Sequence, residues 1–143
     1  MARQPGPCFP FVGLTTALVV LRVAVAILFM AHALVRVVTD TIPGFGAFLE
    51  QRGWPQGVAL VWCITVYELA AGTALALGWR ARWMALGLFF IAGMGIVIIH
   101  APLGWFVGEH GTGGMEYSLS LMVSLLVVAA ADGDARARQT GVR

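Results

Sequence analysis

The sequence predicts an all-α membrane protein: a four-transmembrane-helix bundle with a short interfacial helix in its first outer loop and both termini in the cytoplasm. Of its 143 residues, 59% are hydrophobic and only 11% are charged, a charged fraction well below that of a soluble domain. The apolar residues also occur in runs of about the 20 residues that a helix needs to cross a hydrocarbon core roughly 30 Å thick. The class of protein therefore follows from length and solvation.

Four apolar runs have the length of a membrane span. They cover residues 13–38, 57–78, 82–101 and 115–131. Polar connections that contain glycine, proline or arginine separate the runs, and we expect the helices to end there. The chain is thereby divided into a tail at 1–12, a membrane domain at 13–131 and a tail at 132–143.

The first run imitates a signal peptide, with small residues around position 32 as its cleavage site. Arg22 interrupts the apolar stretch, however, and the stretch continues past the supposed site. We therefore interpret this segment as a retained first helix.

The distribution of arginine predicts the orientation. One side of the four-helix arrangement carries Arg3, Arg80, Arg82, Arg136, Arg138 and Arg143, and the other side carries Arg36 and Arg52. The positive-inside rule then places both termini and the turn at residues 79–82 in the cytoplasm, and the loops 39–56 and 102–114 outside. We expect a multi-pass protein of a bacterial inner membrane.

Two classes of function are disfavoured. The formal net charge of +2 is explained by topology, so it does not indicate a nucleic-acid partner. Cys8 and Cys63 do not form a Cys-x-x-Cys pair, so a thiol–disulfide relay is not expected.

The first outer loop contains a short amphipathic segment. Phe45, Phe48 and Leu49 recur at helical spacing, Gly53 follows, and Trp54 stands where an interfacial anchor is expected. This pattern predicts a helix that lies in the membrane interface.

Ionisable side chains inside the spans are the candidate functional residues, because a charge at the bilayer centre costs about 2.5–3.5 kcal/mol even on the lenient insertion scale. Counted at about 1.5 Å per residue from the outer boundary, Arg22 and Glu68 both lie near mid-membrane, and we predict that they form an ion pair. A shallow cluster lies within about 10 Å of the outer face: His32, Arg36, His100 and Glu116.

The deep pair and the shallow cluster each have a structural and a functional interpretation. The deep pair can lock the register of two helices or give Glu68 a role in proton transfer. The shallow cluster can be scaffold, with helix-end histidines bonded to carbonyls or water. Alternatively it is a binding site, in which His32, Arg36 and His100 donate to a ligand and Glu116 accepts a proton.

As a site, the shallow cluster is predicted to line one cavity that opens to the outer interface beneath Trp105 and Phe106. A quinone fits such a mouth, since Trp54 and the two loop aromatics would flank its apolar part. Zinc or copper is the less favoured ligand, because no local motif fixes metal ligands. The residues available for it are His32, His100, Glu116 and, from the loop, His110.

The order and spacing of several motifs resemble the DoxX family. They are Leu21-Arg22, Ala31-His32-Ala33-Leu34-Val35-Arg36, Gly44-Phe45-Gly46-Ala47-Phe48-Leu49, Arg52-Gly53-Trp54-Pro55, Glu68-Leu69-Ala70-Ala71-Gly72, His100 and Gly113-Gly114-Met115-Glu116-Tyr117. Ala33 stands where the family usually has glycine and Arg36 where it usually has lysine; arginine can pair bidentately where lysine cannot. The resemblance implies the four-helix fold, and we count Tyr117 of its last motif among the ligand-binding candidates.

The resemblance implies several functions. Some DoxX-like proteins are membrane subunits of redox systems, including a thiosulfate:quinone oxidoreductase, and related four-helix proteins in animals are assembly chaperones. Three hypotheses therefore stand: a quinone-linked redox subunit with Glu68 and Glu116 as candidate catalytic groups, a non-enzymatic assembly or partner protein, and a small transport or export subunit. The expected partners are the bilayer, other membrane or periplasmic subunits, or further copies of the chain.

Overall fold

The computed structural model describes residues 12–107 and 113–140, apart from the side chains of residues 138–140. Its helices are α1 (Leu14–Val38), α2 (Ile42–Gln51), α3 (Gly57–Leu77), α4 (Ala81–Gly95) and α5 (Glu116–Thr140). At its end α4 continues through a π-helical turn, Ile96–His100, and a 3₁₀ turn, Ala101–Leu103.

Among the described residues, four helices are long and apolar enough to cross a membrane. These spans are Leu14–Val38, Gly57–Leu77, Ala81–Leu103 and Glu116–Ala137. They confirm the predicted four-helix membrane protein, which lies in a lipid bilayer as a multi-pass chain. The last helix runs on to Thr140 rather than ending near residue 131, because the polar residues after the span also suit a helix: Arg136 Nε lies 2.9 Å from Asp132 Oδ2, one turn away.

The bundle consists of two helical pairs. Helix α1 packs on α3 and α4 packs on α5, and the pairs meet along an α3–α4 seam and an α1–α5 seam. Glycines allow the close approaches: a Cβ added to Gly72 would meet the side chain of Met30, and one added to Gly87 would lie 1.7 Å from the Tyr67 hydroxyl. We call the end of the bundle that carries α2 the α2 end, and the end with the α3–α4 turn the turn end.

The apolar core fills the turn end and the middle of the bundle. Its buried members come from all four spanning helices: Val25, Ala26, Phe29, Ala71, Leu75, Ala81, Ala85, Leu88, Leu125, Val128 and Ala129. Small and large side chains interdigitate there, as close packing requires. Nearer the α2 end, polar side chains and a cavity take the place of this core.

Helix α2 is fixed to the first turns of α3. Ile42 and Leu49 form a small buried cluster with Val61, and Glu50 Oε1 accepts a hydrogen bond of 2.9 Å from the backbone N–H of Gly57. A Cβ on Gly57 would lie 2.0 Å from the carbonyl oxygen of Gly46, so the two backbones touch. A carboxylate at the beginning of α3 also suits the positive end of that helix.

Candidate functional site

A buried hydrogen-bonded triad joins α1 to α3. Arg36 Nη1 donates to Glu68 Oε2 at 3.0 Å and to Thr65 Oγ1 at 2.7 Å. Arg36 is 8% exposed, Glu68 3% and Thr65 0%. The guanidinium also stands 5.7 Å from the centroid of the Phe45 ring on α2. A charged pair is thus enclosed where α1, α2 and α3 meet.

The predicted Arg22–Glu68 ion pair is wrong. Glu68 is bonded to Arg36, whereas the guanidinium of Arg22 lies over Gly78, where a Cβ would be 3.0 Å from Arg22 Nη1. Gly78 follows Glu68 by ten residues, or about 15 Å along the helix. Within the described residues, the Nε atom of Arg22 is buried without a hydrogen-bond partner.

Two physical effects explain this exchange of partners. Helical side chains lean toward the N-terminus of their helix, so both arginines reach toward the turn end: Arg36 extends down to Glu68 and Arg22 extends past it. In addition, α3 is shifted along α1: Gly72, fifteen residues after α3 begins, lies against Met30, only eight residues before α1 ends. The predicted depths were counted separately from the end of each helix, without the lean of the side chains or the shift of α3. The count therefore put Glu68 at the depth of Arg22, and it put the guanidinium of Arg36 too close to the membrane surface.

The triad borders a cavity of about 610 Å³ near the α2 end. Five of the six residues that the sequence predicted for ligand binding or proton transfer contribute to its lining: His32, Arg36, Glu68, His100 and Tyr117. Most of the remaining wall is apolar, with aromatic rings from Phe29, Phe45, Trp54 and Phe90. The volume is that of an ordinary small-molecule pocket.

The π-helical turn places His100 beside this cavity. A π-helical turn holds an extra residue, which shifts the side chains after it around the helix, and such turns are frequent at functional sites. Within the described residues, the Nδ1 atom of His100 is buried and has no hydrogen-bond partner. This nitrogen is an unsatisfied hydrogen-bonding group beside the cavity, and such buried groups are uncommon.

Arg52 connects α2 to the π-helical turn. Its Nη1 atom donates to the carbonyl oxygen of Ile98, and its guanidinium lies 4.3 Å from the centroid of the Phe48 ring. Ile98 also packs against the cluster formed by α2 and Val61. Helix α2 thus braces both walls of the cavity, α3 on one side and the end of α4 on the other.

Glu116, Trp105 and Phe106 lie elsewhere than predicted. Glu116 Oε1 accepts a hydrogen bond of 2.9 Å from the backbone N–H of Val107, and the residue is not part of the cavity wall. Trp105 and Phe106 are exposed and also do not line the cavity. The prediction that all four shallow residues share one cavity is therefore wrong for Glu116, because that carboxylate fixes the loop to the start of α5.

The described residues do not include a group of three histidine, cysteine or acidic side chains close enough to hold a metal ion. His110, the fourth residue considered for a metal, lies outside the described residues, as do Cys8 and Glu109.

Sequence reasoning missed Thr65 and the π-helical turn. Thr65 lies one turn before Glu68 on the same helical face, and this i, i+3 spacing was a readable signal. The π turn has no comparable signal in its residues, Ile96 to His100, which read as an ordinary apolar helix.

A comparison with protein families identifies the chain. The DoxX family profile matches residues 17–101, more than half of the chain, from the first turn of α1 through the π turn that carries His100. Searches of curated proteins and of solved structures returned no significant match. The matched segment contains Arg36, Thr65 and Glu68, the triad that anchors the cavity. The chain belongs to the DoxX family.

Proposed function

We propose that this protein is a small quinone-binding subunit of a redox system in a bacterial inner membrane, and that the cavity near the α2 end holds the quinone headgroup. One observation carries the proposal: Arg36, Glu68, His32 and His100, from three spans, border a single cavity of about 610 Å³. Charged and polar groups at membrane depth are costly and are retained mainly where they function.

The polar wall matches the carbonyl oxygens of a quinone. Arg36 uses Nη1 for both Glu68 and Thr65, and since the side chain lines the cavity, the other N–H groups of its guanidinium can donate to a carbonyl. The imidazoles of His32 and His100 supply further donors. Phe29, Phe45 and Trp54 provide apolar surfaces against which a quinone ring can pack.

The chemistry needs an electron donor and a proton route. Reduction of a quinone to a quinol consumes two electrons and two protons. The electrons come from a redox centre of a partner subunit, and Glu68, which lines the cavity, passes protons to the headgroup. Glu116 has no part in this step, since its carboxylate is bound to the loop.

The orientation belongs to the same proposal. With both termini in the cytoplasm, the α2 end faces the outside, α2 lies at the interface, and the electron donor is a periplasmic or membrane subunit.

The rival candidate is a non-enzymatic assembly or partner protein. The enclosed Arg36–Glu68 pair favours it, since such a pair can specify how helices fit together without binding anything.

The test is purification from native membranes in a mild detergent, followed by extraction and chromatography of bound quinone. We expect wild-type protein to retain quinone, and His32→Ala and His100→Ala each to lower retention about tenfold, the effect of losing roughly 1.4 kcal/mol of hydrogen bonding. Ser124→Ala is the control and should retain as much as wild type, because this partly exposed serine of α5 donates to the Ser120 carbonyl and does not line the cavity.

A folded wild-type protein without quinone would overturn the proposal, and so would equal retention by the histidine variants and the control. Co-purification of a stable membrane partner without any quinone would then favour the assembly protein.

A further inference from the structure

The α1–α5 seam is closed at one level and open at another. Along α1, Leu21, Val25, Leu28 and His32 form one stripe at the spacing of a single helix face. Leu21 and Val25 pack into the apolar core, and Val25 is 3% exposed. One turn further on, Leu28 is 43% exposed, and His32 is exposed as well. The same face is thus covered near the turn end and uncovered near the α2 end.

Helix α5 shows the matching change. Met122 lies beside Gly93 of α4, and Tyr117, Leu121 and Val128 share a face about 120° around α5 from it. Val128 is 3% exposed in the core, whereas Tyr117 is 48% exposed. The face of α5 that is covered in the core is therefore uncovered near the α2 end, as is the face of α1.

The side chains that border this gap also line the cavity. Leu28, His32, Tyr117 and Leu121 all belong to its wall. Because partly exposed side chains of both α1 and α5 belong to the wall, the cavity reaches the surface of the bundle between these two helices.

This opening lies at hydrocarbon depth. Leu28 precedes the end of α1 at Val38 by ten residues, which is about 15 Å of helix, or half of a hydrocarbon core roughly 30 Å thick. A water-soluble molecule does not reach a mouth at that depth, whereas a lipid-soluble one does.

We infer that the ligand of this cavity is a long-tailed, membrane-dissolved molecule that enters through the gap between α1 and α5 and leaves its tail there. The inference rests on the proposed function and adds to it the ligand's class and its route. The headgroup binds beside Arg36 and His100, and the prenyl tail passes between Leu28 and Tyr117 into the bilayer.

A second surface residue of the wall provides the competing route. Phe90 on α4 lines the cavity and is 68% exposed, one helical turn beyond Gly87, where the Tyr67 side chain closes the α3–α4 seam. Entry through that seam would bring the ligand past Phe90 rather than past Leu28. The two routes are distinguished by comparing Leu28→Trp with Phe90→Trp.

The experiment compares two probes on the full chain in lipid nanodiscs: a benzoquinone with a full prenyl tail, and the same headgroup with a methyl group in place of the tail. Bound probe is measured by extraction and chromatography after removal of free probe. We expect Leu28→Trp to lower binding of the tailed quinone about tenfold and to leave the tail-less headgroup bound as in wild type. Val20→Trp, an exposed position on α1 that is not part of the cavity wall, should change neither.

Equal binding of the tailed quinone by wild type and Leu28→Trp would overturn the inference, as would a loss confined to Phe90→Trp. Binding of the tail-less headgroup but not of the tailed quinone by wild type would overturn it as well, while leaving the headgroup site in place. If wild type binds neither probe, the proposed function itself fails. Equal unfolding temperatures of the variants establish that the differences come from the gap rather than from misfolding.

Discussion

Arg36 Nη1 lies 3.0 Å from Glu68 Oε2, and both side chains are enclosed where α1, α2 and α3 meet. Thr65 accepts a second hydrogen bond from the same nitrogen at 2.7 Å, and its hydroxyl donates a hydrogen bond to the carbonyl oxygen of Val61. The pair therefore connects the end of one spanning helix to the middle of the next. Its enclosure makes the two residues interdependent, since either charge alone is poorly solvated.

Removal of one member of this pair should destabilise the bundle. Glu68→Gln leaves the Arg36 charge uncompensated, and we expect the free energy of unfolding in detergent to fall by about 3–5 kcal/mol. The double variant Arg36→Met with Glu68→Gln removes both charges and should recover most of the loss. The measurement is a denaturant titration followed by circular dichroism.

Arg22 provides the control for this cycle. Combining Arg22→Met with Glu68→Gln should give no recovery beyond the sum of the two single changes, because Arg22 lies over Gly78 and not beside Glu68. Recovery with Arg22→Met, and none with Arg36→Met, would contradict the observed pairing.

Contact between the backbones of α2 and α3 leads to a second prediction. A Cβ on Gly46 would lie 2.6 Å from the backbone nitrogen of Val58, so Gly46→Ala forces the helices apart and should cost about 1–3 kcal/mol. A Cβ on Gly44, in the same helix, meets nothing within 4 Å. Gly44→Ala should therefore be neutral or stabilising by up to about 1 kcal/mol, as alanine favours helix over glycine.

Thermal unfolding of the two alanine variants in the same detergent makes this comparison. Similar unfolding temperatures for Gly46→Ala and Gly44→Ala would show that α2 is not held against α3 in the membrane-extracted protein.

The membrane orientation can be tested by cysteine labelling. The variants carry a single cysteine in a background without Cys8 and Cys63. One replaces Gln51 on α2 and the other replaces Asp134 on the extension of α5, and both positions are exposed. An impermeant maleimide added to intact cells should label the Gln51 position alone, because the arginine distribution predicts that the turn end is cytoplasmic. Labelling at Asp134 alone would invert the orientation.

The spanning helices could be predicted from sequence because each depends on its own residues. A run such as residues 57–78 needs only sufficient length and apolarity to form a span, and α3 begins and ends within one residue of that range. The polar face of α1 was readable for the same reason, since helical periodicity alone places His32 and Arg36 on one side.

The partners of the charged groups could not be predicted in that way. Whether Glu68 meets Arg22 or Arg36 depends on how far α3 is shifted along α1, and α2 sets that shift by packing on the first turns of α3. The position of His100 depends similarly on the π turn and on Arg52, which donates to the carbonyl of Ile98. Both are contacts between distant segments, and hydropathy contains no information about them.

The two glutamates near the α2 end should behave differently when each is replaced by glutamine. Glu68 lines the cavity, whereas Glu116 lies in the first turn of α5 with its carboxylate bound to the Val107 N–H. Glu116→Gln keeps an acceptor for that N–H but loses the favourable charge at the helix N-terminus, so we expect a loss of about 0.3–1 kcal/mol in stability and unchanged quinone retention.

Glu68→Gln should instead lower quinone reduction by the intact complex even where the protein remains folded and the headgroup is bound, because glutamine cannot supply a proton. Retention is measured by extraction, reduction by the absorbance of the quinone, and folding by circular dichroism on the same samples. Loss of reduction in Glu116→Gln with normal reduction in Glu68→Gln would transfer the proton route to the loop. Such a result would mean that the enclosed Arg36–Glu68 pair serves the architecture of the bundle and not its chemistry.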